Sequence, residues 1–415
     1  MSARAPDPAV SLADIRAAAA AIAGAVLRTP AISAPALTEL AGAEIVLKLE
    51  TVHPTGSFKE RGALAKLLSL EAKQRKAGVI AMSAGNHAQS VAYHARRLGI
   101  PATIVMPEAT PFTKVERTEA YGARVVLRGA GLAEARQAAA EIAAAEKLTL
   151  VHPYDDATVI AGQGTAGLEL LADRPDLDVI VVPIGGGGLV AGIATAAKAL
   201  KPEIEIIGVQ CALYPAMLHA QGRCAAPTGG PTLAEGIAVK EPGRLTLPIA
   251  AALVDDILLA DEPALERAVA VLLDIEKIVV EGAGAAPLAA LLRHAERFRG
   301  KRVGLIVSGG NIDARLLASI LQRALVRAGR LVRIRIEISD IPGALAKIAR
   351  IIGDKSGNIV EIYHHRLFYD VPVKLAEVEA VVETRNPGHV GEVISALIAA
   401  GFPTRQLSST AVDGG

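Results

Sequence analysis

From residue 44 to about residue 320, short runs rich in valine and isoleucine alternate with stretches whose apolar residues recur every three or four positions. "EIVLKLE", "GVIAMS", "PATIVMPE", "ARVVLRG", "DVIVVPI", "EIIGVQ", "DDILLA" and "RVGLIVS" predict strands. "FTKVERTEAYG", "LAEARQAAAEIAAAEK" and "PALERAVAVLLDIEK" carry the 3.6-residue period of helices. Strand runs without polar alternation, each followed by a helix, predict α/β architecture with largely parallel sheets. The elements are too many for one compact sheet, so two lobes with a cleft between them are expected.

After "LQRALVRAGR" the rhythm changes. "LVRIRIEI", "NIVEIYHHRLF", "KLAEVEAVVETR" and "FPTRQL" read as strands, with helical "GALAKIARIIG" and "HVGEVISALIAAG" between them. Here apolar and charged residues alternate, as in an antiparallel sheet with one wet face. The order βαββαβ matches a ferredoxin-like α+β unit of roughly 80 residues. The domains expected are 1–322, a linker at 323–330, and 331–410, with a small lobe at about 50–153 inserted in the first.

Composition narrows the chemistry. Aromatics make up 3% of the 415 residues and tryptophan is absent, so packing must rely on small aliphatic side chains. The formal net charge of +1 gives no electrostatic footprint for nucleic acid or an acidic membrane surface. Cys211 and Cys224 make neither a disulfide framework nor a metal cluster, and a cytoplasmic protein is expected. "IRAAAAAIAGAV" has the look of a signal-peptide core, but Ser11 and Asp14 before it read as a helix cap. "VIVVPIGGGGLVAGIATAA" is long enough to cross a bilayer, but Pro183 and four consecutive glycines break any such helix.

Those glycines, Gly185 to Gly188, stand between a buried strand and a helix beginning near Leu189. Successive glycines let several backbone N–H groups converge at the positive end of a helix, which holds a phosphate; a flexible turn is the plainer alternative. "GQGTAG" at 162–167 spells a dinucleotide fingerprint, but no good strand precedes it and position 182, where an acid belongs, is valine. Close helix packing explains it better. "MSAGNHAQ" places Ser83, Asn86 and His87 at another strand-to-helix turn, suited to a carboxylate or to a cap with nothing bound. Lys59, in "TGSFKERGA", falls in a first helical turn, where the helix dipole disfavours a cation. Its side chain either turns to water or serves as a readily deprotonated amine able to hold a Schiff base. His364 and His365 are neighbours on a strand and face opposite ways, so no metal constellation is expected; Glu235 reads as a solvated carboxylate rather than a cation ligand.

A reactive lysine, a phosphate loop and a carboxylate loop together point to pyridoxal phosphate acting on an amino acid. "HPTGSFKERGA", "SAGNHAQ", "PIGGGGL" and "SGGN" resemble, in order, the motifs of the threonine/serine dehydratases, fold-type II pyridoxal-phosphate enzymes. The resemblance covers about residues 10–320. The tail from "IEISDIPGALAKIARII" resembles an ACT regulatory domain.

The resemblance implies a two-lobed, tryptophan synthase β-like catalytic domain followed by the ACT domain. It implies that Lys59 carries the cofactor, that Phe58 packs near its ring and that Asn86 bonds its 3′-oxygen. Gly185, Gly186, Gly187, Gly188 and Leu189 would cradle the phosphate, Ser308 would face the pyridine nitrogen, and Ser83, Ala84, Gly85, Asn86 and His87 would hold the substrate carboxylate. A hydroxyl at the pyridine nitrogen leaves it largely neutral, which suits a reaction whose charge at Cα departs promptly with a β leaving group. The implied reaction is elimination from L-threonine to 2-oxobutanoate and ammonia, with L-serine giving pyruvate. A racemase of the same fold needs a second hydroxyl where this chain has Ala84, and a non-catalytic amino-acid sensor would not need the intact motifs. Asp340, Pro342, Gly343 and Leu345 would line an amino-acid or nucleotide effector site in a homodimer or homotetramer, with no metal, nucleic acid or membrane partner.

Overall fold

In the computed structural model, which describes residues 9–365 and 375–407, every predicted apolar run before residue 320 forms a strand. In chain order these and two shorter strands are β1 (Ala31–Ser33), β2 (Glu44–Leu49), β3 (Val79–Met82), β4 (Ala102–Met106), β5 (Arg124–Leu127), β6 (Thr149–Leu150), β7 (Val179–Pro183), β8 (Glu205–Cys211), β9 (Asp256–Ala260) and β10 (Arg302–Val307). They build two sheets. The larger has the order β1-β2-β10-β7-β8-β9, parallel except for the β1–β2 pair. The smaller, β5-β4-β3-β6, is parallel throughout and is made by the stretch of chain between β2 and β7. β7 is buried at every position, as its unbroken apolar run requires.

Helix Lys59–Leu68 lies between the lobes, packed on helix Ala157–Asp173 of the larger and helix Asn86–Arg97 of the smaller. "GQGTAG" falls inside helix Ala157–Asp173, away from any strand-to-helix turn. A Cβ on Gly162 would stand 2.6 Å from Gly62 Cα, and one on Gly164 would stand 2.8 Å from Gly192 O. These glycines therefore serve close helix packing.

Three consecutive residues anchor the start of helix Lys59–Leu68. Lys59 Nζ donates to Pro153 O at 2.7 Å. Glu60 accepts from the Thr55 N–H at 2.6 Å and sits 3.2 Å from His94 Nε2, on the small-lobe side. Arg61 is fully buried on the other side, bound to Glu50 (2.6 and 2.9 Å) and Glu169 (2.7 Å). Lys48, also fully buried, completes the group at 2.6 Å from Glu169. Two cations thus face two carboxylates, the balance a buried cluster needs. Burial alone would push the Glu50 carboxyl up, but Arg61 and His53 outweigh it and hold Glu50 well below the usual carboxylate range.

The chain divides into two compact units, one ending at Ile312 and the other beginning at Asp313. Helix Ala314–Arg327 groups with the second unit, so the boundary falls ahead of the linker expected at 323–330. The second unit continues with β11 (Leu331–Ser339), helix Ala344–Asp354, β12 (Asn358–His365), β13 (Leu375–Glu383), helix Pro387–Ala399 and β14 (Thr404–Gln406). Its antiparallel sheet, β12-β13-β11-β14, has the ferredoxin-like order. On β11, Val332, Ile334, Ile336 and Ile338 are buried while Arg333 and Glu337 face water, the predicted alternation. Arg366–Phe368 and Lys374 of the expected strands, and the end of the expected domain at 408–410, lie outside the described residues.

Candidate active site

The motifs of the first unit converge on the C-terminal ends of its parallel strands, where ligands bind in open α/β sheets. Ser57 pairs with Gly309 in an isolated bridge, and the Phe58 N–H donates to Ser308 O at 3.0 Å. The lysine loop is thereby stitched to the end of β10. Lys59 follows as the first helical residue, without a side-chain cap before it. Burial lowers its ammonium to about 8, against a smaller opposing pull from Glu281. The amine is therefore turned inward, and a substantial fraction is neutral near physiological pH.

Opposite stands the glycine loop. Among the described residues, the N–H groups of Gly185 to Leu189 donate to no other group, although Gly186 O accepts from Thr246 Oγ1 at 2.6 Å. A Cβ on Gly186 would lie 2.4 Å from the ring of Tyr154, and Gly187 has φ +97°. Tyr154 adjoins Pro153, whose carbonyl holds Lys59, so cradle and amine face the same space. Free N–H groups at the start of helix Gly188–Leu200, approachable because no side chain intervenes, fit a phosphate. Ser57 Oγ, in the lysine loop beside Gly309, is buried without a partner. The aldehyde, ring and phosphate of pyridoxal phosphate match this donor set.

The asparagine loop closes a third side. Helix Asn86–Arg97 begins without a side-chain cap, and Ser83 Oγ accepts from the Gly85 N–H at 3.2 Å. First-turn N–H groups are thus left for an anion. The His87 imidazole is not among them: it is 2% exposed, bonds Val151 O at 2.8 Å, and is lowered to about 3, chiefly by burial and next by Lys59. Its Nδ1 is buried without a hydrogen-bond partner. Ala84 packs against the small-lobe core and brings no polar atom.

Two residues that sequence reasoning missed organise this side. Glu281 Oε1 accepts from Asn86 Nδ2 at 2.7 Å, and Asn311 Nδ2 donates to Asn86 Oδ1 at 2.8 Å and to Thr55 O at 2.7 Å. Burial raises the Glu281 carboxyl to about 7, although its bond to Asn86 pulls the other way. Before a helical "GAGAAPL", a lone glutamate reads as an ordinary cap; only the fold shows that its side chain caps nothing. Glu235, expected to be solvated, pairs with Lys114 at 2.6 Å and remains largely exposed. Among the described residues no cluster of three or more histidine, cysteine or carboxylate side chains could hold a metal, and no helix is long and apolar enough to cross a membrane. Asp340, Pro342, Gly343 and Leu345 belong to the second unit.

Comparison with known proteins agrees with this chemistry. Residues 22–309 match the family described as pyridoxal-phosphate dependent enzyme. The chain is 43% identical to the L-threonine ammonia-lyase of Thermotoga maritima, over 95% of this chain and 99% of that one. It is 44% identical to a catabolic L-threonine dehydratase of Staphylococcus aureus, over 76% of this chain and 93% of that one. Among solved structures, maize serine racemase superposes with a TM-score of 0.72 at 35% identity, covering 77% of this chain and 99% of the racemase. With the family's model spanning the segment that carries amine, cradle and asparagine loop, the chain belongs to the pyridoxal-phosphate dependent enzymes.

Proposed function

We propose that this protein deaminates L-threonine to 2-oxobutanoate and ammonia by β-elimination, with L-serine to pyruvate as a side activity. The observation that carries the substrate is the 43% identity to an L-threonine ammonia-lyase along nearly the full length of both chains. Pyridoxal phosphate, when bound, supplies the electron sink that acidifies the α-hydrogen of the amino acid. Lys59 Nζ would be the attachment point for the cofactor and, as a free amine, would take the Cα proton. Gly185 to Leu189 would hold the phosphate, Asn86 the ring oxygen, Phe58 the ring and Ser308 the pyridine nitrogen. The Ser83–His87 loop binds the substrate carboxylate through backbone N–H groups, and the buried walls around Lys59 restrict water at the amine.

The test is a substrate panel read by ketoacid formation, joined to borohydride reduction and peptide mapping. Threonine should be the best substrate, and the cofactor should be trapped on the peptide containing Lys59. A protein that cannot be loaded with pyridoxal phosphate, or loads it on another lysine, overturns the reading. Likeness to serine racemase raises racemisation as a second reading. Reprotonation from the opposite face of Cα needs a donor within hydrogen-bond reach, and Ala84 supplies none.

The second unit is proposed as an ACT-type regulatory domain that takes a small amino-acid or nucleotide effector at the Asp340–Leu345 turn, in a cytoplasmic homodimer or homotetramer. Gly343 there has φ +88° and open space where a Cβ would stand. Helix Ala344–Asp354 starts directly after it, so its first N–H groups can meet a carboxylate.

A further inference from the structure

Asn86 has one carbonyl oxygen and two N–H donors. Asn311 Nδ2 can only donate, and it points at Asn86 Oδ1. An ionised Glu281 can only accept, and it takes one N–H of Asn86 Nδ2. With both ends of the amide engaged, its two possible flips are no longer equivalent, and one N–H remains unspent. The grip is itself held. Asn311 is tied to Thr55 O on the lysine loop, and the Glu281 N–H donates to Gly309 O at 3.1 Å. A Cβ on Gly309 would stand 2.5 Å from Glu281 Oε1, and one on Gly236 would stand 3.3 Å from it. The carboxylate therefore lies in a slot that only glycine backbone leaves open.

We propose that Glu281 is a positioning residue of this site: with Asn311 it fixes the Asn86 amide so that its remaining N–H faces the ring oxygen of the bound cofactor. The proposal rests on the reading that Asn86 meets that oxygen. The charged groups facing Glu281 are Lys59 from the start of helix Lys59–Leu68, Lys114 from helix Phe112–Ala120 and Glu235 from the turn Glu235–Ile237. Burial raises the Glu281 carboxyl most, the Asn86 bond, Lys114 and Lys59 lower it and Glu235 raises it, so Glu281 changes charge within the working range of a neutral-pH enzyme, at about 7. The hold on Asn86 should then be tightest above that value, where Glu281 is a full acceptor.

The experiment titrates the full-length apoprotein with pyridoxal phosphate and follows the absorption band of the bound cofactor from pH 6 to 8, about one unit either side of the carboxyl's midpoint. Glu281→Ala should weaken cofactor binding by about tenfold, the worth of one hydrogen bond to a charged group. It should also move the band toward that of Asn86→Ala. The double variant should bind no more weakly than Asn86→Ala alone, because Glu281 acts only through Asn86. Glu281→Gln keeps an acceptor, so it should bind within about threefold of the parent while the pH dependence of the band disappears. A Glu281→Ala protein with parental affinity and band, or a double variant whose losses simply add, overturns the positioning role. A parent protein that loads no cofactor on Lys59 instead brings down the reading beneath it. Should Glu281→Ala fail to fold, Glu281→Gln with a parental pH profile also overturns the proposal.

Discussion

At Lys59 Nζ, burial and the nearby Glu281 carboxylate pull in opposite directions, and burial prevails, leaving the ammonium at about 8. Attack on an aldehyde requires the neutral amine. Loading of the apoprotein by pyridoxal phosphate should therefore speed up by about tenfold per pH unit below that value and level off above it. Stopped-flow absorbance across pH 6.5 to 9.5, about the range in which the amine changes charge, measures this; a rate still climbing steeply above pH 9 would mean an unburied lysine. Ala84 offers a second measurement. Ala84→Ser places a hydroxyl in the asparagine loop, so D-serine should appear from L-serine at a rate that chiral analysis resolves, against essentially none from the parent. Lys59 and Asn86 were legible in the sequence because each sits in a motif whose residue types are unusual for the place. Glu281 was not, since a glutamate before a helix is commonplace, and Asn311, although it ends the "SGGN" motif, carried no role of its own there. Their significance lies in meeting Asn86 from positions 195 and 225 residues away.

Helix Lys59–Leu68 is held at its start by buried charges. Removing Arg61 would leave Glu50 and Glu169 facing each other with only Lys48 and His53 for compensation. Arg61→Leu should destabilise the protein by about 3–5 kcal/mol, as for other broken buried pairs, and adding Glu50→Leu should recover part of the loss. Chemical denaturation of both variants decides the matter, since equal losses would show that Arg61 acts by packing alone. Gly186→Ala probes the cradle. Its methyl must displace the Tyr154 ring, so cofactor affinity should fall while the secondary structure by circular dichroism stays intact. The strands of the parallel core were readable because both faces are buried and the apolar run is continuous. β1 and β6, of three and two residues, carry no period for a pattern to reveal.

Across the whole molecule, the two compact units differ in grammar as well as in contacts: continuous apolar strands before Ile312, alternating ones after Asp313. The catabolic relative from Staphylococcus aureus matches 76% of this chain with 93% of its own. A chain cut after residue 327 should accordingly keep its cofactor and make 2-oxobutanoate. If the second unit regulates, kinetics of that truncated form should be indifferent to an amino acid that shifts the full-length enzyme, and Gly343→Asp should blunt the same response. A full-length enzyme that neither binds nor responds to any amino acid or nucleotide, by calorimetry and kinetics, would leave the second unit as a passive tail. The boundary at Ile312 escaped sequence reasoning because helix Ala314–Arg327 carries an amphipathic pattern that either unit could bury.

The triple Lys59, Glu60 and Arg61 has a mechanical meaning. Glu60 is tied to the smaller lobe, Arg61 to the larger, and Lys59 lies beside both at the root of one helix. If the lobes swing apart to admit a substrate, these residues form the fulcrum and the Lys114–Glu235 pair, joining the lobes at an exposed site, is a clasp that must part. Points on a fulcrum travel least. The mouth can open widely while the amine keeps its place, so entry of the amino acid need not disturb the atom that will react with it.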